Sequence, residues 1–321
     1  MLPASFRYAQ ILLNNISNIN LFRNFILPDK YPPQTEKLDL EPIKVDKLEW
    51  NPAIDYFKDK FEAFNSIQTQ TFKSFYLSDE SVFLGAPTSS GKTACAELAI
   101  LRQFRKCTLT DDYNDLSYGK IVYIASLEAI VNVTYEEWKT SFESIIEDIQ
   151  VVKLTGILQT DLKLLQQGNI ILATSEQWDV ISRRWMKRKH VQKVSMFICD
   201  EIHLLSESKN QMEVVISRMR YMASELGRPI RFIALGSSVA NYKVMAEWIG
   251  ARDVYNFMPN ARPIPLEINI HNFDHNIQAL RMLSMSKPAY HAIKRNYENK
   301  PIMIFVPNRK QARLVALDMI S

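Results

Sequence analysis

Six short, continuous apolar runs punctuate the middle of the chain: Ser81–Leu84, Lys120–Ala125, Gln150–Leu154, Asn169–Ala173, Ser195–Cys199 and Ile230–Leu235. They do not alternate apolar with polar positions, so they predict strands buried on both faces. Helical patterns lie between them, such as Lys92–Lys106 and Asn210–Leu226. Strand–helix alternation predicts a parallel sheet with right-handed crossovers, an α/β fold that binds ligands at the carboxyl ends of its strands. This pattern fills residues 51–262. Residues 1–50 hold Pro28, Pro32, Pro33 and Pro42, lack a long periodic stretch and read as a lead-in. A second unit opens at Pro263 and covers 263–321. It predicts a strand at Leu266–Ile270, a helix around Gln278–Tyr297, a strand at Ile302–Val306 and a helix from Asn308. Two strands and two helices bury too little to make an ordinary core. The second domain is therefore expected to be incomplete in this chain.

Composition narrows this picture only slightly. A chain of 321 residues, 47% hydrophobic and 23% charged, is that of an ordinary globular protein of about two domains. The net charge of +4 permits a nucleic-acid partner without demanding one. No apolar run reaches the roughly 18 residues that span a bilayer, so no membrane partner is expected. The N-terminus lacks the residue order of a signal peptide. Cys95, Cys107 and Cys199 show no CxxC spacing and read as reduced thiols rather than a disulfide framework or a zinc site. Only eight glycines occur in the chain, well below the usual share of about 7%, so each one retained points to a backbone need.

The first chemistry lies directly after the first apolar run, in Ala86-Pro87-Thr88-Ser89-Ser90-Gly91-Lys92-Thr93. Successive backbone N–H groups between a strand and a helix form an anion nest, and the helix N-terminus adds a favourable dipole. Gly91 lets the backbone approach a phosphate, Lys92 reaches the terminal phosphates, and the Thr93 hydroxyl ligates magnesium. The pattern predicts a P-loop for a nucleoside triphosphate, ATP with Mg2+, although Ala86 stands where the strict motif has glycine. The bland alternative is a chance GKT in a turn; the strand–loop–helix context speaks against it.

Asp200-Glu201-Ile202-His203 follows another apolar run, about 110 residues after the loop. A carboxylate at a strand tip holds magnesium, and a second beside it orients and deprotonates an attacking water. Acidic residues also end strands for no chemical reason, so the spacing from the P-loop carries the inference. Thr155, Gly156 and Thr174 each follow an apolar run. Small hydroxyl residues and glycine there can hold a nucleic-acid backbone, but taken alone they are ordinary turn residues. Arg183, Arg184, Lys187, Arg188, Lys189, His190 and Lys193 form a basic run that either steers RNA or is a solvated face. His271 and His275 have an i, i+4 spacing, but Asn272 replaces the glutamate of a zinc motif, so no metal is expected there.

These motifs, in this order, resemble a superfamily 2 DExH RNA helicase over nearly the whole chain. In particular the chain is similar to the C-terminal cassette of the large two-cassette spliceosomal helicases that unwind paired snRNAs. Residues 64–70 (Phe64 to Gln70), 161–165, 182–185, 217–221, 262–267 and 283–288 carry that likeness. The resemblance implies a RecA-like P-loop NTPase domain followed by the start of a second one. It implies that Gln68 reads adenine and that Asp200 and Glu201 serve magnesium and the attacking water. His203, Ser237 and Ser238 would couple the nucleotide site to RNA; Ser126, Thr155, Gly156 and Thr174 would touch RNA. It also implies spliceosomal protein partners and a nuclear location.

Three departures bear on activity. Ser89 stands where relatives have glycine, Ser126 replaces a proline, and Gly236 replaces the first hydroxyl residue of the coupling motif. In the resembled family this cassette is often a nucleotide-binding regulator rather than the motor. The later motifs of the second domain, with the arginine finger, are not in the chain, so slow or absent hydrolysis is expected from it alone. Tyr8–Asn24 has no counterpart in the family linker and reads as a gene-model error in a fragment. Two alternatives stay open: a helicase-fold scaffold that binds proteins, and a cassette of the related two-cassette helicase that acts on stalled ribosomes.

Overall fold

A computed structural model describes residues 35–109, 119–206, 211–273, 276–296 and 300–320. The suspected insertion Tyr8–Asn24, and His275 of the histidine pair, lie outside the described residues. The chain divides into two compact units after Leu266.

The first unit is built on seven parallel strands: β1 Val82–Gly85, β2 Lys120–Ala125, β3 Val151–Lys153, β4 Ile170–Thr174, β5 Val194–Cys199, β6 Arg231–Gly236 and β7 Asp253–Asn256, in the order β3-β4-β2-β5-β6-β1-β7. All six expected strands are present within a residue or two. β7 is the addition. It is a half-buried edge strand carrying Asp253 and Asn256, and so lacks the apolar run that reveals a strand covered on both faces.

Alternate strand residues feed opposite cores. Ile121, Tyr123 and Ala125 of β2 join one cluster, while Val122 and Ile124 join the other. The first cluster is covered by α1 Asn51–Phe57, α2 Ser66–Phe72, α3 Lys92–Leu109 and α4 Glu128–Ile145, with Trp138, Phe57 and Phe64 at its centre. The second is covered by α5 Leu158–Gln167, α6 Ser175–Ser182, α7 Lys189–Gln192, α8 Met212–Leu226 and α9 Tyr242–Ile249, around Trp178, Phe197 and Met219. Residues 35–50 pack onto this unit: Val45 and Leu48 are buried, and Gln70 bonds the backbone at Glu36 and Leu38.

The second unit holds α10 Gln278–Asn296 and α11 Arg309–Ile320, joined by a hydrogen bond from the Ser286 hydroxyl to Asp318 at 3.1 Å. The strands expected at Leu266–Ile270 and Ile302–Val306 are absent. Both segments are extended in composition, but neither finds a hydrogen-bonding neighbour among the described residues, and a strand exists only through its ladder.

Candidate functional site

The order of strands collects the predicted residues along one edge of the sheet. β5, β6 and β1 are neighbours, and their carboxyl ends carry Asp200, Ser237 and the P-loop. The Ala86 amide donates to the Gly236 carbonyl at 2.9 Å, which joins the start of the loop to the end of β6. β3, β4 and β2 form the other half of the edge, and carry Thr155, Thr174 and Ser126.

The loop is a nest by backbone geometry. Ser89 and Gly91 have φ of +62° and +82°, and α3 begins at Lys92. Gly91 has no room for a side chain, because a Cβ there would lie 2.2 Å from Gln68 Nε2. Lys92 is buried, and its Nζ donates to the carbonyls of Ala86 and Pro87 at 3.0 and 3.2 Å. Burial lowers its pKa, against the opposing pull of Glu201 and Asp200. Thr88, Ser89 and Thr93 are exposed. The Ser90 hydroxyl is fully buried with no hydrogen-bond partner among the described residues. Left-handed backbone, a lysine bridging the loop and an unsatisfied buried hydroxyl fit a site built for phosphate with magnesium at Thr93 and Asp200.

Gln68 is a strut of that loop. Asn65 and Gln68 form a reciprocal cap on α2, with the Gln68 amide donating to Asn65 Oδ1 at 3.0 Å and the Asn65 amide donating to Gln68 Oε1 at 2.9 Å. Gln68 Nε2 then donates to the Gly91 carbonyl at 3.2 Å, and Asn65 Nδ2 to the Ser90 carbonyl at 3.0 Å. Its acceptor oxygen is thus engaged within the protein, and one amide proton remains for a base.

Asp200 accepts the Tyr123 hydroxyl at 2.6 Å and the Glu201 amide at 2.8 Å. Glu201 is left-handed, at φ +54°, an uncommon conformation for a glutamate and a form of strain that concentrates at functional sites. His203 Nδ1 lies 3.2 Å from Glu201 Oε2 and 3.1 Å from the Ser237 amide nitrogen. A ring nitrogen offers either a proton or a lone pair. It therefore donates to Glu201 in one tautomer and accepts from Ser237 in the other. Gly236 is packed closely against this ring, since a Cβ there would sit 3.1 Å from Ile202 Cγ2 and 3.3 Å from His203 Nδ1. The Ser238 hydroxyl donates to the Phe257 carbonyl. Asn256 holds the same loop, accepting from the Val239 amide at 3.1 Å and donating to its carbonyl at 3.0 Å.

The other half of the edge is less open than its sequence suggests. Buried Asp161 accepts the Thr155 amide at 2.7 Å, the Thr155 hydroxyl at 2.8 Å and the Gly156 amide at 3.0 Å. A carboxylate of the chain itself thus takes the donors expected to meet a phosphate. Thr174 caps α6, its hydroxyl accepting the Gln177 amide at 3.3 Å. The basic run lies elsewhere. It leads directly into Val194, the first residue of β5, and so sits at the amino edge of the sheet. Arg183 pairs with Asp179, and Arg188 bonds the carbonyls of Val180 and Ile181. Tyr123 was invisible as a site residue, because a tyrosine inside an apolar run reads as core.

The chain matches the DEAD/DEAH box helicase family over residues 65–244. It is 48% identical over 303 residues to the human U5 small nuclear ribonucleoprotein 200 kDa helicase, covering 94% of this chain and 14% of that protein. Over 304 residues it is 47% identical to the Arabidopsis thaliana DExH-box ATP-dependent RNA helicase DExH13, with the same coverage. Over 303 residues it is 42% identical to Gallus gallus activating signal cointegrator 1 complex subunit 3, covering 94% of this chain and 13% of that protein. Among solved structures, Mss116p bound to ssRNA and AMP-PNP superposes with a TM-score of 0.62 at 16% identity, over 89% of this chain and 59% of that one. The helicase MrfA bound to DNA and AMPPNP gives 0.61 at 16% identity, over 92% of this chain and 40% of that one. At those identities the likeness shows the fold, a RecA-like helicase domain.

Proposed function

Because this chain belongs to the DEAD/DEAH box helicase family, we propose that it is the ATP-binding module of a DExH RNA helicase acting in pre-mRNA splicing, in the nucleus. Residues 51–262 are assigned to the first RecA-like domain and 263–321 to the start of a second. The observation that carries the reading is the meeting of three motifs at the ends of adjacent strands: the loop nest with Lys92, the carboxylates Asp200 and Glu201, and the His203–Ser237 contact. Identity of 48% to a U5 small nuclear ribonucleoprotein helicase supports the splicing assignment, with RNA and spliceosomal proteins as partners.

When bound, ATP with Mg2+ supplies the phosphoanhydride whose cleavage powers strand separation. The chain's own residues have separate tasks. The amides of 89–93 and Lys92 would hold phosphate oxygens. Thr93 and Asp200 would hold the cation. Glu201 orients water and takes its proton. His203 reports on Glu201 to the loop of Ser237 and Ser238 through its single Nδ1. Gln68 offers its remaining amide proton to the base. Ser126, Thr155, Gly156 and Thr174 form the RNA edge, and hydrolysis and unwinding require a complete second domain.

A second reading is a scaffold that keeps the fold without turnover. It is favoured by Asp161 occupying the Thr155–Gly156 amides. Titration of a fluorescent ADP analogue into wild type and Lys92→Ala separates the two. The module reading expects magnesium-dependent binding by wild type and at least a tenfold loss in the variant, about 1.4 kcal/mol. Binding by neither protein leaves the scaffold. Strong RNA-stimulated hydrolysis by residues 1–321 would count against the need for a complete second domain.

A further inference from the structure

The Asp200 carboxylate is fixed at both oxygens by the protein itself. Oδ1 accepts the Glu201 amide at 2.8 Å, and Oδ2 accepts the Tyr123 hydroxyl at 2.6 Å. The Asp200 amide also donates to the Ile124 carbonyl at 2.9 Å, so backbone and side chain are tied to β2 together. Tyr123 lies at the centre of β2 in register with Ile198 of β5. Its ring is 1% exposed and stands edge-on to Trp138 at 5.1 Å. Trp138 is itself held by a bond from Nε1 to Glu97 at 3.0 Å.

A phenylalanine would fill the same core volume and make the same edge contact with Trp138. The hydroxyl adds one thing only, a short charge-assisted bond in a dry place to a carboxylate at a strand tip. Such a bond stops the carboxylate from rotating, and groups of this kind around a metal ligand commonly set the metal's affinity.

We propose that Tyr123 is a positioning residue for the divalent cation, holding the Asp200 carboxylate in the orientation that receives the magnesium of a bound nucleotide. This rests on the ATP–Mg2+ reading of the site. It assigns Tyr123 no contact with nucleotide or RNA.

The test uses the full chain and a fluorescent ADP analogue, titrated once in Mg2+ and once in EDTA. The ratio of the two dissociation constants is the magnesium gain. Tyr123→Phe is expected to cut that gain about tenfold, the low end for loss of a supporting partner of a metal ligand, while affinity in EDTA stays at the wild-type value. Asp200→Asn should also cut the gain, and adding Tyr123→Phe to it should cost nothing further. An unchanged gain in Tyr123→Phe overturns the proposal. So does an equal loss of affinity with and without magnesium, which marks a structural role. Should Tyr123→Phe lose its cooperative thermal transition, 3-fluorotyrosine placed at position 123 alters the same bond to Asp200 while keeping the ring and its packing. A changed gain with unchanged affinity in EDTA supports the proposal, and an unchanged gain defeats it. A wild-type chain that binds no analogue sinks the nucleotide reading and this inference together, whereas binding with a gain that ignores Tyr123 sinks this inference alone.

Discussion

Ser89 sits in the left-handed region at φ +62°, where a side chain clashes with the following carbonyl. Glycine removes that strain, roughly 1–2 kcal/mol, but gives back part of it through a freer unfolded chain. Ser89→Gly should therefore stabilise the protein by about 0.5–1 kcal/mol, read as a higher urea midpoint at unchanged slope. A fall in the midpoint would mean that the Ser89 hydroxyl itself stabilises the loop. The position of this strain was signalled only by the family resemblance, because relatives have glycine where this chain has Ser89. Other single residues were not. Thr155 looked like a free phosphate donor because its partner, Asp161, lies six residues on and belongs to no motif. Tyr123 and Asp200 are 77 positions apart, and only the pairing of β2 with β5 brings them together.

At the scale of elements, apolar patterning found six strands, including the buried edge strand β3, and missed β7, whose residues are mostly half-buried and include Asp253 and Asn256. It invented two strands in the second unit because β-forming side chains say nothing about whether a ladder partner exists. It also could not tell which edge of the sheet the basic run would join; the topology sends that run to the amino edge. Lys120, the first residue of β2, shows what this edge does. Its ammonium donates to the carbonyls of Gln166 and Gly168 at the end of α5. Burial, and next the positive charge of Lys193, lower its pKa to about 8. The unfolded chain keeps the ordinary lysine value of about 10.4 and so holds more protons between these limits. This contribution to stability therefore rises as pH goes from about 8 to about 10.4. Urea midpoints at pH 8 and pH 9.5 should show that rise in wild type, and Lys120→Met should flatten it. An identical rise in the variant would place the titration on another group.

Across the whole molecule, burial is unevenly distributed. The first unit fills both faces of its sheet with fully buried aromatic rings, including Trp138 and Trp178. In the second, Ser286 and Val315 are the buried positions among the described side chains, while Phe305 is 87% exposed and Met303 77%. So little buried apolar surface does not offset chain entropy. A chain of residues 267–321 alone should unfold without a cooperative transition by circular dichroism, whereas 35–266 should melt sharply. A sharp transition in the short piece would show that its helices suffice. The P-loop and DExH signatures are legible in the sequence because each is local in it. The contacts that join one motif to another are not. The bond between Ala86 and Gly236 spans most of the first unit, and so does the place of Asn256. A side chain on Gly85 would put its Cβ 2.4 Å from Asn256 Oδ1, the atom that holds Val239. Position 85, which leads into the nucleotide loop, and position 256, which anchors the loop of Ser237 and Ser238, share one volume. A side chain at 85 has to displace the Asn256 amide, and with it the two bonds that hold Val239. A substitution at the entry of one loop is thereby felt at the other, through a single shared side chain.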